Sequence, residues 1–261
     1  MMGFVRENPV KRKLAAGKTS IGLIVGEFTT TGIGRIAAGA GADFVMFDME
    51  HGGIDIGATK NILSAARSSG IVPLVRTPST GYHLISQPLD AGAIGVMVPM
   101  VESAEQARLI VASAKYPPVG GRGVGVYYPD DLEPGGLAAT LAKANDELLL
   151  IAQIETAAGV EHVEEIAAVD GIDLLWIGHF DLTTSLGTPG EFWNAAHTAA
   201  VDRVFEACRR HGKSVGTMAN DAADGLALAE KGFTAFAFND AMLFSAALRE
   251  SVRELEARRE S

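Results

Sequence analysis

Two stretches of sequence decide the fold: residues 148–155 read LLLIAQIE, and residues 172–181 read IDLLWIGHFD. Each is an apolar, strand-like run that leads into an acid, Glu155 in the first and Asp181 in the second. The segment between them is long enough for one crossover helix, which predicts consecutive parallel strands that bring both acids to one edge of a sheet. Carboxylates in this arrangement suit a hard divalent cation, whereas the plainer interpretation makes both acids helix N-caps or surface turn residues.

Six further apolar runs, each followed by a helix-like stretch, extend this pattern along the chain. The predicted strands are Ile21–Val25, Phe44–Asp48, Val72–Arg76, Gly95–Met100, Leu148–Ile154, Leu174–Ile177, Ser214–Met218 and Ala235–Phe238. The predicted helices include Ala58–Ser68, Ala104–Ala114, Gly159–Ala167, Ala195–His211, Ala222–Lys231 and Ala241–Ala257. Strands that alternate with helices eight times predict an α/β fold, a single-domain (β/α)8 TIM barrel over residues 1–261. The alternative is a doubly wound open sheet, but no Gly-x-Gly-x-x-Gly motif follows a strand.

The composition disfavours several classes of partner. The formal net charge is −10, and nucleic acid or anionic membranes require clustered Lys and Arg. Cys208 is the only cysteine, so no intrachain disulfide forms. No apolar run approaches the ~20 residues that span a bilayer, and residues 1–9 contain no apolar signal core. We therefore expect a cytoplasmic protein with neither a nucleic-acid nor a membrane partner.

Polar side chains crowd the predicted carboxyl ends of the strands, where barrel enzymes carry their chemistry. They include Asp48, Glu50, His51, Arg76, Gln153, Glu155, His179, Asp181, Asn220, Asn239 and Asp240. We predict that the carboxylate of Asp48 fixes the tautomer of the His51 imidazole, so that His51 can act as a general base. If strand alternation continues, the side chain of Glu50 points away from His51. Arg76 ends an apolar strand and either pairs with a structural acid or faces a substrate oxyanion, which we favour. Three roles remain open for His179: a metal ligand, a base, or a residue that shapes the pocket.

Two absences narrow the chemistry. None of the eight lysines ends a predicted strand at the polar edge, which argues against a Schiff-base mechanism. The loops after the seventh and eighth strands lack the glycine cluster of a phosphate cradle, which disfavours a phosphorylated substrate. The other histidines, His83, His162, His197 and His211, are predicted to be structural and away from this edge.

Taken in order, the motifs resemble the metal-dependent (class II) pyruvate aldolases of the HpcH/HpaI type. The resemblance extends from Gly22 to about Leu248 and depends on an ordered set of segments. These are residues 47–51 (FDMEH), 73–76 (PLVR), 87–92 (QPLDAG), 98–101 (VPMV), 116–118 (YPP), 122–125 (RGVG), 153–156 (QIET), 177–178 (IG) and 181–182 (DL).

The resemblance implies a metal and a binding pocket. Glu155 and Asp181 would bind Mg2+ or Mn2+, with Co2+ or Zn2+ as further options. Pyruvate would chelate this ion through its keto oxygen and one carboxylate oxygen. Backbone N–H groups of Phe180 and Asp181 would hold the other carboxylate oxygen, and Gln153 would line the same pocket.

The resemblance also implies a catalytic set. Arg76 would stabilise the enolate oxygen, since a guanidinium lowers the energy of a developing oxyanion. His51, oriented by Asp48, would serve as the base through a metal-bound water. Asp90 would support the His51 region, a role that only the resemblance suggests.

The implied activity is the reversible cleavage of a 4-hydroxy-2-oxo acid to pyruvate and an aldehyde through a metal-bound enolate. One alternative is a metal-enolate decarboxylase or carbon–carbon-forming synthase on a 2-oxo dicarboxylate such as oxaloacetate. A second is a non-catalytic 2-oxo acid binding protein. The resemblance further implies a hexamer, a trimer of dimers, and we expect the C-terminal segment Met242–Leu255 to pack on a neighbouring subunit.

The sequence departs from the family pattern at two turns. Residues 52–55 read GGID, where the family often has a Pro-Asn-Asp type of turn. Residues 178–181 read GHFD, where the family usually has Gly-Pro, a small residue and Asp. The second change points to an unusual acceptor or substrate, or to a donor larger than pyruvate.

Overall fold

A closed barrel of eight parallel strands forms the centre of the molecule, in a computed structural model that describes residues 5–125 and 132–259. Each strand pairs with its neighbour in the sequence, and β8 pairs with β1. The strands are β1 (Ser20–Val25), β2 (Phe44–Asp48), β3 (Val72–Arg76), β4 (Gly95–Val98), β5 (Leu149–Ile154), β6 (Leu174–Ile177), β7 (Ser214–Met218) and β8 (Ala235–Asn239). The predicted single-domain (β/α)8 barrel is confirmed.

Helices cover the outside of the barrel and one of its ends. Those in the described ranges are α1 (Pro9–Ala15), α2 (Ile33–Gly39), α3 (Ile56–Ser68), α4 (Tyr82–Asp90), α5 (Ala104–Ala114), α6 (Gly136–Glu147), α7 (Ala157–Glu161), α8 (Val163–Ala167), α9 (His179–Ser185), α10 (Ala195–His211), α11 (Ala222–Glu230) and α12 (Asp240–Arg259). The helix predicted over Gly159–Ala167 is two short helices, because the backbone leaves helical geometry at His162. Side-chain caps begin several helices, among them Asp55, Ser103, Asn194 and Asp221.

The interior of the barrel is filled by large side chains that face glycines on neighbouring strands. Phe44 pairs in register with Gly22, and Trp176 pairs with Gly216. A Cβ at Gly22 would lie 2.4 Å from the Phe44 ring, and one at Gly216 would lie 2.6 Å from the Trp176 ring. Large and small residues therefore alternate around the barrel so that its core is packed rather than hollow.

The C-terminal helix α12 leaves an apolar stripe in solvent. Phe244, Leu248, Val252 and Leu255 are 57%, 52%, 44% and 66% exposed, and their spacing places them on one face of the helix. The ring of Phe244 meets that of Phe28 edge to face, with centroids 5.3 Å apart. In the described ranges, none of the helices combines the length and the apolar composition that a membrane crossing requires.

The carboxylate of Asp240, at the start of α12, anchors the loop that follows β1. This buried side chain accepts hydrogen bonds from the backbone N–H groups of Gly26, Glu27 and Phe28 at 3.3, 3.1 and 2.7 Å. Asp240 was one of the polar residues that the sequence places at the carboxyl edge, and its contacts are structural. It fastens the last helix to the first strand and so closes the barrel at the end that carries the polar side chains.

We predict that Asp240→Ala lowers the free energy of unfolding by about 3 kcal/mol, because three backbone N–H groups lose a buried, charged acceptor. Urea denaturation of the full chain measures this change. Asp202→Ala, at an exposed position of α10, is the matched control and should change stability by less than ~0.5 kcal/mol. Equal midpoints for the two variants would contradict the anchoring role of Asp240.

Candidate active site

A cavity opens at the carboxyl ends of the strands, and five of the eleven polar residues that the sequence places at this edge line it. It is lined by Arg76, Gln153, Trp176, Ile177, Gly178, His179, Phe180, Asp181, Phe192, Trp193, Thr217, Met218, Asn220, Asp224 and Leu228. This is the end at which barrel enzymes hold their reactive groups. No lysine is among these described lining residues.

A buried ion pair between Arg76 and Asp48 joins the ends of β3 and β2. Arg76 donates from Nε to Oδ1 of Asp48 at 2.8 Å and from Nη2 to Oδ2 at 2.6 Å. Burial raises the pKa of Asp48, but the guanidinium outweighs burial, so the net pKa lies below the usual value. Arg76 therefore pairs with an acid and also lines the cavity, and its role toward a substrate oxyanion stays a prediction.

The predicted contact between Asp48 and the His51 imidazole is not the one that forms. Asp48 Oδ1 accepts hydrogen bonds from the backbone N–H groups of Glu50 and His51, at 3.0 and 3.3 Å. The chain turns immediately after β2, and in such a turn an Asp side chain caps the backbone N–H groups two and three residues on. Asp48 therefore fixes the turn that carries His51 and leaves the ring itself to another partner.

That partner is Glu50, whose predicted orientation was wrong. Its Oε2 lies 3.6 Å from Nε2 of His51 and 3.4 Å from Nε of Arg76, so it faces the same groups as Asp48. Strand alternation ends with β2 at Asp48 and does not govern a residue in the following turn. Burial raises the pKa of the Glu50 carboxyl, although Arg76 opposes this shift. The His51 side chain is largely exposed at the mouth.

Glu155 is the most buried acid of the site, with 2% of the residue exposed. Its Oε1 accepts the backbone N–H of Met100 at 2.8 Å, and its Oε2 accepts an N–H from Gln153. Met100 has a left-handed backbone (φ 55°), a strained conformation that is concentrated at functional sites. A Cβ at Gly178 would lie 2.4 Å from Glu155 Oε2, so only glycine allows β6 to approach this carboxylate.

The acids around Glu155 make its negative charge costly. Burial is the main cause that raises its pKa to about 7, and the charges of Glu50 and Asp181 add to the shift. Asp181, in the first turn of α9, is exposed and lines the cavity. In the described residues, no group of three or more His, Cys, Asp or Glu side chains is placed to hold a metal ion. Hard oxygen donors with uncompensated charge suit a divalent cation whose other positions are left to water and substrate.

His179 belongs to a chain of hydrogen bonds that fixes its tautomer. The backbone N–H of Trp193 donates to Nδ1 of His197 at 3.0 Å, so the proton of neutral His197 is on Nε2. This Nε2 lies 2.8 Å from Nδ1 of His179, which therefore accepts. Burial, reinforced by His197, lowers the pKa of His179 to about 4, so the ring is neutral at neutral pH. His179 shapes the pocket, and its interpretation as a base finds no support in this pairing.

Asp90 does not reach His51 within one chain. It ends α4, which runs back from the mouth, and it pairs with Nη2 of Arg122 at 2.5 Å. The pocket around this pair is also lined by Ile94 and Leu148, which precede β4 and β5, and so lies at the opposite end of the barrel. The predicted support of the His51 region by Asp90 is therefore not made by the same subunit.

Comparison with known proteins places this site in a family. The sequence profile described as HpcH/HpaI aldolase/citrate lyase matches residues 28–245. The chain belongs to this family. A 2-keto-3-deoxy-L-rhamnonate aldolase of Klebsiella pneumoniae subsp. pneumoniae is 37% identical over 222 residues, which are 85% of this chain and 83% of that protein. A hydroxypyruvate/pyruvate aldolase of Cupriavidus necator is 36% identical over 244 residues, or 93% and 90% of the two chains.

Solved structures agree with the sequence relatives. An HpcH/HpaI aldolase from Desulfitobacterium hafniense superposes with a TM-score of 0.88 at 33% identity and covers 95% of this chain and 96% of its own. The citrate synthase SbnG superposes with a TM-score of 0.86 at 27% identity and covers 97% and 99%. The predicted family and the predicted aldolase class are thus confirmed.

The raised pKa of Glu155 predicts a pH dependence for cation binding. A carboxyl that is protonated below about pH 7 must release its proton to a cation, so affinity for Mn2+ should fall about tenfold per pH unit below that point and level off above it. Titration of the metal-stripped protein with Mn2+ between about pH 6 and about pH 8 measures this. Glu155→Gln should bind weakly at every pH, and an equally strong affinity across the range in the wild type would contradict the assignment.

Proposed function

We propose that this protein is a divalent-metal-dependent aldolase that reversibly cleaves a 4-hydroxy-2-oxo acid to pyruvate and an aldehyde. The observation that carries the proposal is the juxtaposition of buried Glu155, the Arg76–Asp48 pair and His51 at one end of the barrel. The named relatives are aldolases, which supports the same reaction class.

Glu155 and Asp181 are the residues proposed to hold the cation, with Mg2+ or Mn2+ preferred. The bound cation supplies electrophilic stabilisation of a keto oxygen as negative charge develops there. The structure fits this assignment, because Glu155 is buried among acids and needs a positive partner to remain charged at neutral pH. Gln153 lies against the same carboxylate, and its Oε1 is buried without a hydrogen-bond partner among the described residues.

Arg76 is proposed to stabilise the oxyanion of the pyruvate half. Asp48 engages two of the five guanidinium N–H donors and fixes the plane of the group, so the remaining donors are oriented before substrate binds. Backbone N–H groups of Phe180 and Asp181, in the first turn of α9, are proposed to bind the substrate carboxylate. This arrangement concentrates donors where the reaction develops negative charge.

His51 is proposed as the general base. In the cleavage direction it takes the proton of the 4-hydroxyl on an imidazole nitrogen, while the bond between C3 and C4 breaks and the aldehyde leaves. Glu50, 3.6 Å from Nε2, stabilises the charged imidazole that results. The enolate of pyruvate then takes up a proton at C3, and the imidazolium gives up the proton that it took, which restores neutral His51.

The alternatives are less well supported. The citrate synthase SbnG is a carbon–carbon-forming relative, but at 27% identity it is more distant than the aldolases at 36–37%. A non-catalytic binding protein would need neither an exposed imidazole beside a carboxylate nor a guanidinium preoriented by a buried acid.

We place the aldolase activity in the cytoplasm, in keeping with the single cysteine.

We further propose that the chain functions as a hexamer, a trimer of dimers, with α12 packed on a neighbouring copy. The stripe of Phe244, Leu248, Val252 and Leu255 supports this, because exposed apolar side chains on one helical face mark an association surface. Support of His51 by Asp90 would then come from a neighbouring subunit, since the two residues lie at opposite ends of one barrel.

We expect Glu155→Gln to reduce turnover by about 10²- to 10³-fold, because the preorganised charge at the reacting oxygen is lost. The assay is metal-dependent exchange of the pyruvate methyl protons in D2O, which needs no aldehyde and is followed by NMR. Glu161→Gln, at an exposed acid at the end of α7, is the control and should keep wild-type exchange. Exchange that survives exhaustive chelation in the wild type would refute the proposed function.

For the assembly, Leu248→Glu combined with Val252→Glu should reduce the mass of the particle, since two charges would be buried in the contact. Size-exclusion chromatography with light scattering measures the mass. Leu226→Glu, at an exposed position of α11, should leave the mass unchanged. A wild-type mass in the double variant would exclude α12 as the contact.

A further inference from the structure

Three aromatic side chains form one side of the cavity beyond the reactive groups. Phe180, Phe192 and Trp193, here called the aromatic wall, line the same cavity as Arg76 and Asp181. They are 62%, 39% and 37% exposed, and the rings of Phe180 and Phe192 meet edge to face with centroids 5.0 Å apart. Large exposed aromatic residues beside a reactive centre are characteristic of a surface that binds a ligand.

The aromatic wall is held in place by contacts from behind. The backbone N–H of Trp193 donates to His197, which is fully buried and in turn pairs with His179. Trp193 has a left-handed backbone (φ 63°), a strained conformation for a bulky residue that these contacts maintain. The wall is therefore preorganised, which reduces the entropy lost when a ligand packs on it.

Charged side chains of both signs lie near the wall. In the same lining, Asn220 donates through its backbone N–H and its Nδ2 to Oδ2 of Asp224, each at 2.9 Å. Nζ of Lys231 lies 4.4 Å from the centroid of the Trp193 ring and pairs with its face. A carboxylate on the acceptor would meet Asp224 as well as Lys231, whereas an uncharged aryl ring packs on the three rings and needs neither charge.

We propose that the aromatic wall binds the acceptor half of the substrate, and that this half is an aromatic aldehyde. The proposal rests on the proposed aldolase function and names the chemical class of its acceptor. The substrate in the cleavage direction is a 4-aryl-4-hydroxy-2-oxo acid. Its O–H bond breaks as His51 takes the proton, the C4 carbonyl forms, the bond between C3 and C4 breaks, and C3 is protonated to give pyruvate. The aryl ring stacks edge to face on Phe192 and Trp193 in the manner of the Phe180–Phe192 contact.

The test compares benzaldehyde, glycolaldehyde and succinic semialdehyde as acceptors with pyruvate and a divalent metal. In the wild type, kcat/KM for benzaldehyde should exceed that for each of the other two at least tenfold. Phe192→Ala and Trp193→Ala should lower kcat/KM for benzaldehyde about tenfold or more, with most of the change in KM. Phe192→Leu should retain part of the preference, and Leu226→Ala, outside the cavity, should retain all of it.

Exchange of the pyruvate methyl protons in D2O separates failure of this proposal from failure of the proposed function. Folded Phe192→Ala and Trp193→Ala should keep wild-type exchange, since exchange uses the donor half alone. Intact exchange with equal or better use of glycolaldehyde or succinic semialdehyde by the wild type would overturn the aromatic acceptor and leave the aldolase standing. Unchanged benzaldehyde kinetics in both alanine variants would overturn the role of the wall. Absence of exchange in the wild type would refute the aldolase itself, and the substrate proposal with it.

Discussion

Glu155 holds a carboxylate in a part of the barrel that offers little to compensate its charge. Two N–H groups reach it, from Met100 and Gln153, but Glu50 and Asp181 contribute negative charge nearby. Burial of an acid under these conditions favours its protonated form, and a raised pKa follows. The left-handed backbone of Met100 and the lack of a side chain at Gly178 both make room for, or bind, the Glu155 carboxylate. A divalent cation is the partner that would make the arrangement stable at neutral pH.

The guanidinium of Arg76 is also held in a fixed position. Arg76 is bound to a buried acid through two hydrogen bonds, and that acid also orders the turn that presents His51. One carboxylate, Asp48, thus orients both the group proposed to stabilise the oxyanion and the backbone of the proposed base. Glu50 links the two side chains. Asp48 and Glu50 therefore set the geometry of the site, and Glu155 and Asp181 are the acids proposed to hold the cation.

The sequence predicts most of the fold, because buried parallel strands are read as continuous apolar runs. Phe44–Asp48, Val72–Arg76, Leu174–Ile177 and Ser214–Met218 have the predicted bounds, and the other four strands differ at one end by two residues or fewer. Prediction was weaker where the chain leaves a strand. Glu50 lies in a turn, so the alternation of side chains along β2 does not predict its direction. The three-residue spacing of Asp48 and His51 allows a hydrogen bond to the backbone N–H as well as a contact with the ring, and the structure has the former. The pairing of His179 with His197 joins residues that only the folded chain brings together, and no local pattern signals it.

The most direct test of the account is where a divalent ion binds. Crystals grown with Mn2+ should show an anomalous difference peak within ligand distance of carboxylate oxygens of both Glu155 and Asp181, with Asp48 still paired to Arg76. A peak that contacts neither acid, or Glu155 and Asp181 oxygens too far apart to share one ion in the Mn2+-treated protein, would contradict the central claim.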